Sequence, residues 1–292
     1  MIWFRRCLAV LAFGGIACES LTAPRLPAGA TVLTPPAVYA RWWAMTEACS
    51  GIQRDMSIIT WYVTDSISIS IGSEHDLAGY YSPVGNRIVL SDTGNLTGRA
   101  IRHEMLHALL GPSVSGHPRN QFLGRCEGTV DCVRTCISDA GPPPPPDPAA
   151  VVVDPTALEV AGVIDPAAPS RSNDDTWFTF TIFVTNPRRT PVIVSLRPSG
   201  YASPPLTFAW DIKFLTVRVG GSSPDPASAA NAYDIPSATR FAAGETKRFV
   251  ADYRVGNSGF VAMPVGTYVF TGYYNGLTGP PESKPDTVTL GP

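Results

Sequence analysis

The chain has 292 residues, enough for two folded units with connecting segments, and its 44% apolar and 16% charged residues exclude a disordered chain or a coiled coil. With 22 Lys and Arg against 24 Asp and Glu, no basic field exists to attract a phosphate backbone, so nucleic acid is not an expected partner. The 29 prolines and 26 glycines fit many short strands joined by turns and at least one extended linker.

Arg5 and Arg6 precede the apolar stretch Cys7 to Ile16, which is too short to cross a bilayer; residues 1–17 read as an export signal. Gly15 and Ala17 suit ordinary signal peptidase, whereas Ala17-Cys18 resembles a bacterial lipoprotein box, with Gly15 where such boxes usually carry Leu. Lipidation of Cys18 is the preferred expectation and plain secretion the other. A membrane is therefore expected as a partner only through a lipid on Cys18. Residues 18–37, with their Ala, Pro and Gly, read as a tether, and folded structure is expected from Val38.

Residues 38–49 predict a short helix carrying Trp42 and Trp43. Ser57 to Thr64 and Ser66 to Ile71 have strand character; in the second, Ile67, Ile69 and Ile71 alternate with serines at the period of a half-buried strand. Turn chemistry at Pro83 and Gly85-Asn86 precedes a third strand, Asn86 to Ser91. From Arg99 the spacing becomes helical, with Ile101, Met105, Leu106, Ala108 and Leu109 at helix positions and Gly111-Pro112 as the stop. Pro142 to Pro146 are consecutive prolines that favour a semi-rigid spacer, which places a linker at 141–150 between a unit at 38–140 and one at 151–292.

The second unit repeats short β-type runs: Thr176 to Thr185, Val192 to Leu196, Leu206 to Ile212, Leu215 to Val219, Thr246 to Val255, Gly266 to Tyr274 and Asp286 to Leu290. This pattern predicts an all-β antiparallel sandwich. Ala243-Gly244-Glu245-Thr246 and Pro264-Val265-Gly266-Thr267-Tyr268 resemble bacterial immunoglobulin-like accessory domains, without the cysteine framework of antibody domains.

Of the six cysteines, Cys7 and Cys18 belong to export, which leaves Cys49, Cys126, Cys132 and Cys136. Three pairings are open; the expected one joins Cys49 to Cys126 and Cys132 to Cys136. A thiolate zinc site is the competing reading, but the paired Cys-x-x-Cys spacing is missing and an exported chain meets oxidising conditions.

The chemistry concentrates at His103-Glu104-Met105-Leu106-His107. Two histidines four apart on a helix differ by about 40° around its axis, so both rings can reach one ion. Zn²⁺ suits neutral imidazole, and Glu104 beside the first ligand can take the proton of a metal-activated water. Only four histidines occur in the chain, and three fall between 103 and 117. At these residues, and over roughly 38–137, the chain resembles the zincin metallopeptidases, in which a strand along the substrate cleft precedes the active-site helix; Asn86 to Ser91 followed by the helix matches that order. The resemblance implies an α+β zincin-like domain, Zn²⁺ as cofactor, His103 and His107 as ligands and Glu104 as general base. Gly111 and His117 come later than the metzincin continuation requires, and Glu127 stands at the distance where gluzincins place a carboxylate ligand. Glycines and a cysteine around Glu127 argue against a second helix there, so His117 is preferred as third ligand and Glu127 stays the alternative.

Tyr80, Tyr81 and Arg102 are candidates to stabilise an oxyanion, and His75 reads as an exposed turn residue. The expected activity is hydrolysis of a protein or peptide by an exported zinc peptidase. The alternative is a cell-surface binding protein that uses the β-sandwich and carries an idle zincin-like part.

Overall fold

The computed structural model describes residues 25–72, 74–92, 98–130, 132, 136, 139, 140, 145, 147–165, 177–195, 213–221, 233, 234, 238–255, 262, 263, 266–274, 284 and 286–290. The expected export signal, most of the proline run and the expected strand Leu206 to Ile212 lie outside the described residues. Within them the protein mixes α and β structure, with several small sheets and few helices. No helix among the described residues is long and apolar enough to cross a membrane.

The first sheet is assembled from strand β1 (Thr31–Val32), β2 (Thr60–Val63), β5 (Gly79–Ser82) and β6 (Arg87–Leu90), in the order β1-β2-β6-β5. Strands β2 and β6 run parallel, while β1 and β5 are antiparallel to their neighbours. A separate hairpin joins β3 (Ile69–Ile71) and β4 (Glu74–Leu77). Ordered structure thus starts before Val38, because Thr31 and Val32 pair with Val63 and Tyr62.

Helix α1 (Ala37–Ser50) begins after Pro36 and ends at Gly51, whose φ of 73° lets its N–H reach the Glu47 carbonyl. Helix α2 (Gly98–Leu110) stops at Gly111, with φ 78° and the same kind of bond to His107. Between the helices and the sheet lies a core of Val38, Tyr39, Trp42 and Trp43 from α1, Trp61, Ile88 and Leu90 from the strands, and Ile101, Met105, Ala108 and Leu109 from α2. A second apolar cluster gathers Leu106, Phe122, Cys126, Val130 and Cys136 on another side of α2. Disulfides join Cys49 to Cys126 and Cys132 to Cys136, the expected pairing, and the first bolts α1 to the segment after His117.

Strands β7 (Val151–Val153), β10 (Val192–Ser195) and β13 (Ala238–Phe241) form one small sheet. A second contains β8 (Glu159–Asp165), β9 (Trp177–Thr185), β14 (Thr246–Val255) and β15 (Ala262–Met263), and a third contains β11 (Lys213–Gly221), β12 (Tyr233–Asp234), β16 (Gly266–Tyr274) and β17 (Asp286–Leu290). Strands β16 and β17 lie against β8. Phe178, Phe180, Ile182 and Val184 alternate along β9 and are fully buried, the one-face pattern of a period-two strand. The opposite face of β9 is buried too, through Trp177, Thr179 and Thr181, and at Trp177 it meets α1. Trp177 packs edge-on against Trp42 with ring centroids 5.5 Å apart, and the Trp177 carbonyl accepts a 2.8 Å bond from Arg41.

Candidate metal centre

Helix α2 presents His103 and His107 one turn apart, and the turn after Gly111 brings His117 back over them. Gly116, at φ 66°, makes that return possible. The three Nε2 atoms form a nearly equilateral triangle: 3.1 Å between His103 and His117, 3.2 Å between His107 and His103, and 3.2 Å between His107 and His117. Among the described residues these three form a cluster that could hold a metal ion.

Asp139 sets the third histidine. One of its carboxylate oxygens accepts from His117 Nδ1 at 3.0 Å and from the His117 backbone N–H at 3.0 Å. With Nδ1 donating to the carboxylate, the lone pair of His117 is left on Nε2, pointing at the other two rings. Burial, then the neighbouring His103 and His117, hold the His107 imidazole well below its ordinary value, so that ring is neutral at physiological pH. Three lone-pair nitrogens this close repel one another without a cation between them. In tetrahedral zinc sites with Zn–N near 2.0–2.1 Å, neighbouring nitrogens lie about 3.3–3.4 Å apart, close to the spacing seen here. The donor set therefore fits an imidazole-preferring divalent ion with one position left open.

Phe122 floors the site. Its ring is fully buried, with centroids 5.0, 4.8 and 4.9 Å from those of His103, His107 and His117. Neither Phe122 nor Asp139 is legible from spacing, because each reaches the triad through a turn rather than a repeat.

Glu104 is buried between α2 and β5, where its carboxylate accepts from the Tyr81 backbone N–H. Burial pushes this carboxyl up to about 8; the Tyr81 bond works against the rise and the nearby Glu74 charge adds to it. Gly79 leaves the space: a Cβ there would lie 3.2 Å from Glu104 Cγ and 3.0 Å from Leu90 Cδ2.

Strand β5, not Asn86 to Ser91, forms the sheet edge beside α2. The Asn86–Ser91 segment supplies β6, which is enclosed between β2 and β5. The Ser91 N–H bonds the Ala78 carbonyl, which sets the antiparallel alternation: Tyr80 and Ser82 direct their main-chain groups to β6, while Gly79 and Tyr81 direct theirs outward.

The other sequence candidates lie elsewhere. Arg102 is fully buried, and its guanidinium grips Asp252 through two bonds of 2.8 and 3.0 Å, so it faces away from the triad rather than toward an oxyanion. The Tyr81 hydroxyl donates to Asn86 Oδ1 at 3.1 Å within the hairpin. Glu127 pairs with Lys247 at 2.5 Å and is not among the clustered groups. His75 is exposed, as expected, but sits on strand β4 rather than in a turn.

No family model and no curated protein matches the sequence. Among solved structures, the Pseudomonas fluorescens alkylpurine DNA glycosylase AlkC, bound to DNA containing an abasic site analog, aligns at 9% identity and a TM-score of 0.30. That alignment covers 47% of this chain and 31% of the glycosylase, so the chain spans less than a third of its length.

Proposed function

We propose that this chain is an exported zinc-dependent metallopeptidase of the zincin type. The observation that carries the reading is the meeting of three imidazole Nε2 atoms at 3.1–3.2 Å beside a buried carboxyl one residue from the first of them. His103, His107 and His117 would hold the ion. Zinc bound there supplies a Lewis acid that acidifies a water and polarises a carbonyl.

The rest of the chemistry belongs to side chains of this protein. Glu104 takes a proton from the attacking water and returns it to the leaving amine. The Tyr81 N–H fixes the carboxylate in place, and Asp139 keeps His117 in its ligating tautomer. Phe122 excludes water from beneath the rings. The outward main chain of Gly79 on β5 offers an extended protein or peptide substrate a strand edge to join, directly beside Glu104.

In this reading residues 38–140 form an α+β zincin-like domain and residues 151–292 an all-β sandwich, joined by the linker 141–150; the expected all-antiparallel pairing does not hold, since β7 runs parallel to β10 and β15 parallel to β14. Support for the first comes from the antiparallel edge strand next to the chelating helix, and for the second from the approach of β16 to β8 and β9, strands of two different sheets. Two disulfides support maturation in an oxidising compartment, which fits export.

Purified protein should contain one zinc per chain and cut an unstructured protein such as casein. Glu104→Gln should retain the zinc and lose cleavage. Undiminished cleavage by that variant would remove Glu104 from the mechanism, and a wild type that takes up no metal would end the reading.

A further inference from the structure

The two kinds of ligand in the triad come from different supports. His103 and His107 ride on α2, whereas His117 stands on a loop, so chelation requires the helix and the segment after the loop to keep one fixed spacing. Strand β14, more than a hundred residues downstream, touches both.

Asp252 on β14 receives Arg102 Nη1 at 2.8 Å and Nη2 at 3.0 Å, in the two-pronged geometry that fixes orientation as well as distance. The same guanidinium sends Nε to the Thr129 carbonyl at 2.6 Å, which ties α2 to the chain that follows His117. Two residues before Asp252, the Val250 N–H bonds the Gly128 carbonyl at 2.9 Å. Lys247 completes the row by pairing with Glu127. Helix α2, the 127–129 turn and β14 therefore close a ring of hydrogen bonds around one buried charge.

The fit leaves no slack. A Cβ on Gly98 would lie 2.6 Å from Asp252 Oδ2 and 2.7 Å from the Trp42 ring, so only glycine lets the strand come this close. Gly128 plays the same part at the turn, where a Cβ would strike the Phe249 ring and the Arg248 carbonyl. Arg102 directly precedes His103; a rotation of α2 that loosened the guanidinium would swing the chelating face away from His117.

Resting on the metal reading above, we propose that Asp252 is a positioning residue for the metal triad, acting through Arg102, and that β14, while a strand of the second unit, also serves as scaffold of the site. Groups that hydrogen-bond a metal ligand directly change affinity by about 10- to 100-fold when removed; Asp252 acts one residue further out, so Asp252→Asn should weaken binding of Co²⁺ or Zn²⁺ by about 10-fold, the low end of that range. The full-length protein is stripped of metal and titrated with Co²⁺, whose visible bands report tetrahedral coordination, in competition with a chelator of known affinity.

Arg102→Lys, which keeps the charge but gives up the two-pronged grip and the Thr129 bond, should show the same loss and serves if Asp252→Asn does not fold. Phe180→Leu is the comparison: it trims the fully buried core of the adjoining strand on the opposite face, and should lower Tm with Co²⁺ affinity and spectrum unchanged. Wild-type affinity in a folded Asp252→Asn or Arg102→Lys overturns the proposal, as does an equal loss in Phe180→Leu. A wild type that binds no Co²⁺ overturns the metal reading first, and this proposal with it.

Discussion

Replacing Glu104 with Gln removes a carboxyl group that burial keeps protonated, and the consequence can be counted in protons. With its value near 8, roughly nine in ten Glu104 side chains of the metal-free protein carry a proton at pH 7, and about half at pH 8. A divalent ion in the triad favours the carboxylate, so metal uptake near neutrality expels almost one proton from this group. Protons from the histidines or from water on the ion leave in wild type and variant alike and cancel in the difference. Calorimetric titration of Zn²⁺ into stripped protein, in two buffers of different ionisation enthalpy, reads that difference. It should be ~0.9 proton per chain at pH 7 and fall to ~0.1 at pH 9. Equal release from both proteins would refute the claim that the site holds this carboxyl neutral.

The same burial leaves a signature in stability. The folded value lies above the ordinary 4.5, so the group costs nothing below that pH, where both states are protonated. As pH rises from about 4.5 toward 8, the unfolded chain ionises Glu104 freely and the folded chain resists. Metal-free wild type should lose stability across that window, by up to roughly 5 kcal/mol, and Glu104→Gln should not. Denaturant titrations with chelator at pH 5 and pH 8 test the sign.

Asp139→Ala frees the ring of His117 and should lower Zn²⁺ affinity by about 10- to 100-fold, read by chelator competition, with the far-ultraviolet spectrum unchanged. Gly79→Ala places a methyl 3.2 Å from Glu104 Cγ; zinc content should persist while turnover of a peptide substrate falls by about 10- to 100-fold. Opening the Cys49–Cys126 bond by Cys49→Ser with Cys126→Ser releases a 77-residue separation in the unfolded chain, a loss of roughly 4.5 kcal/mol by loop entropy that a urea midpoint would show.

What could be read from the chain was what depends on near neighbours. His103 and His107 converge because one helical turn separates them, and the glycine that ends α2 announces itself by position. Strands such as Thr246–Val255 and Gly266–Tyr274 carry long enough runs of β-forming residues to be marked at both ends. Strand β5 was missed because its four residues sit against a proline and glycine turn, whose signal dominates so short a window. Arg102 looked available for chemistry because it adjoins a ligand in sequence. One residue along a helix is about 100° around it, which carries Arg102 to a buried side. Asp139 and Asp252 could not be read at all, since their partners lie 22 and 150 residues away and nothing local distinguishes either from a solvated carboxylate.

The bond between Cys49 and Cys126 encloses all three histidines and Glu104 within a single covalent loop. A backbone cut anywhere between those cysteines, whether by the protein itself or by a neighbour, leaves both fragments attached. Such nicked molecules would migrate as intact chain on a gel run without reductant and separate only when thiol is added, so a cut inside this loop is visible only under reducing conditions.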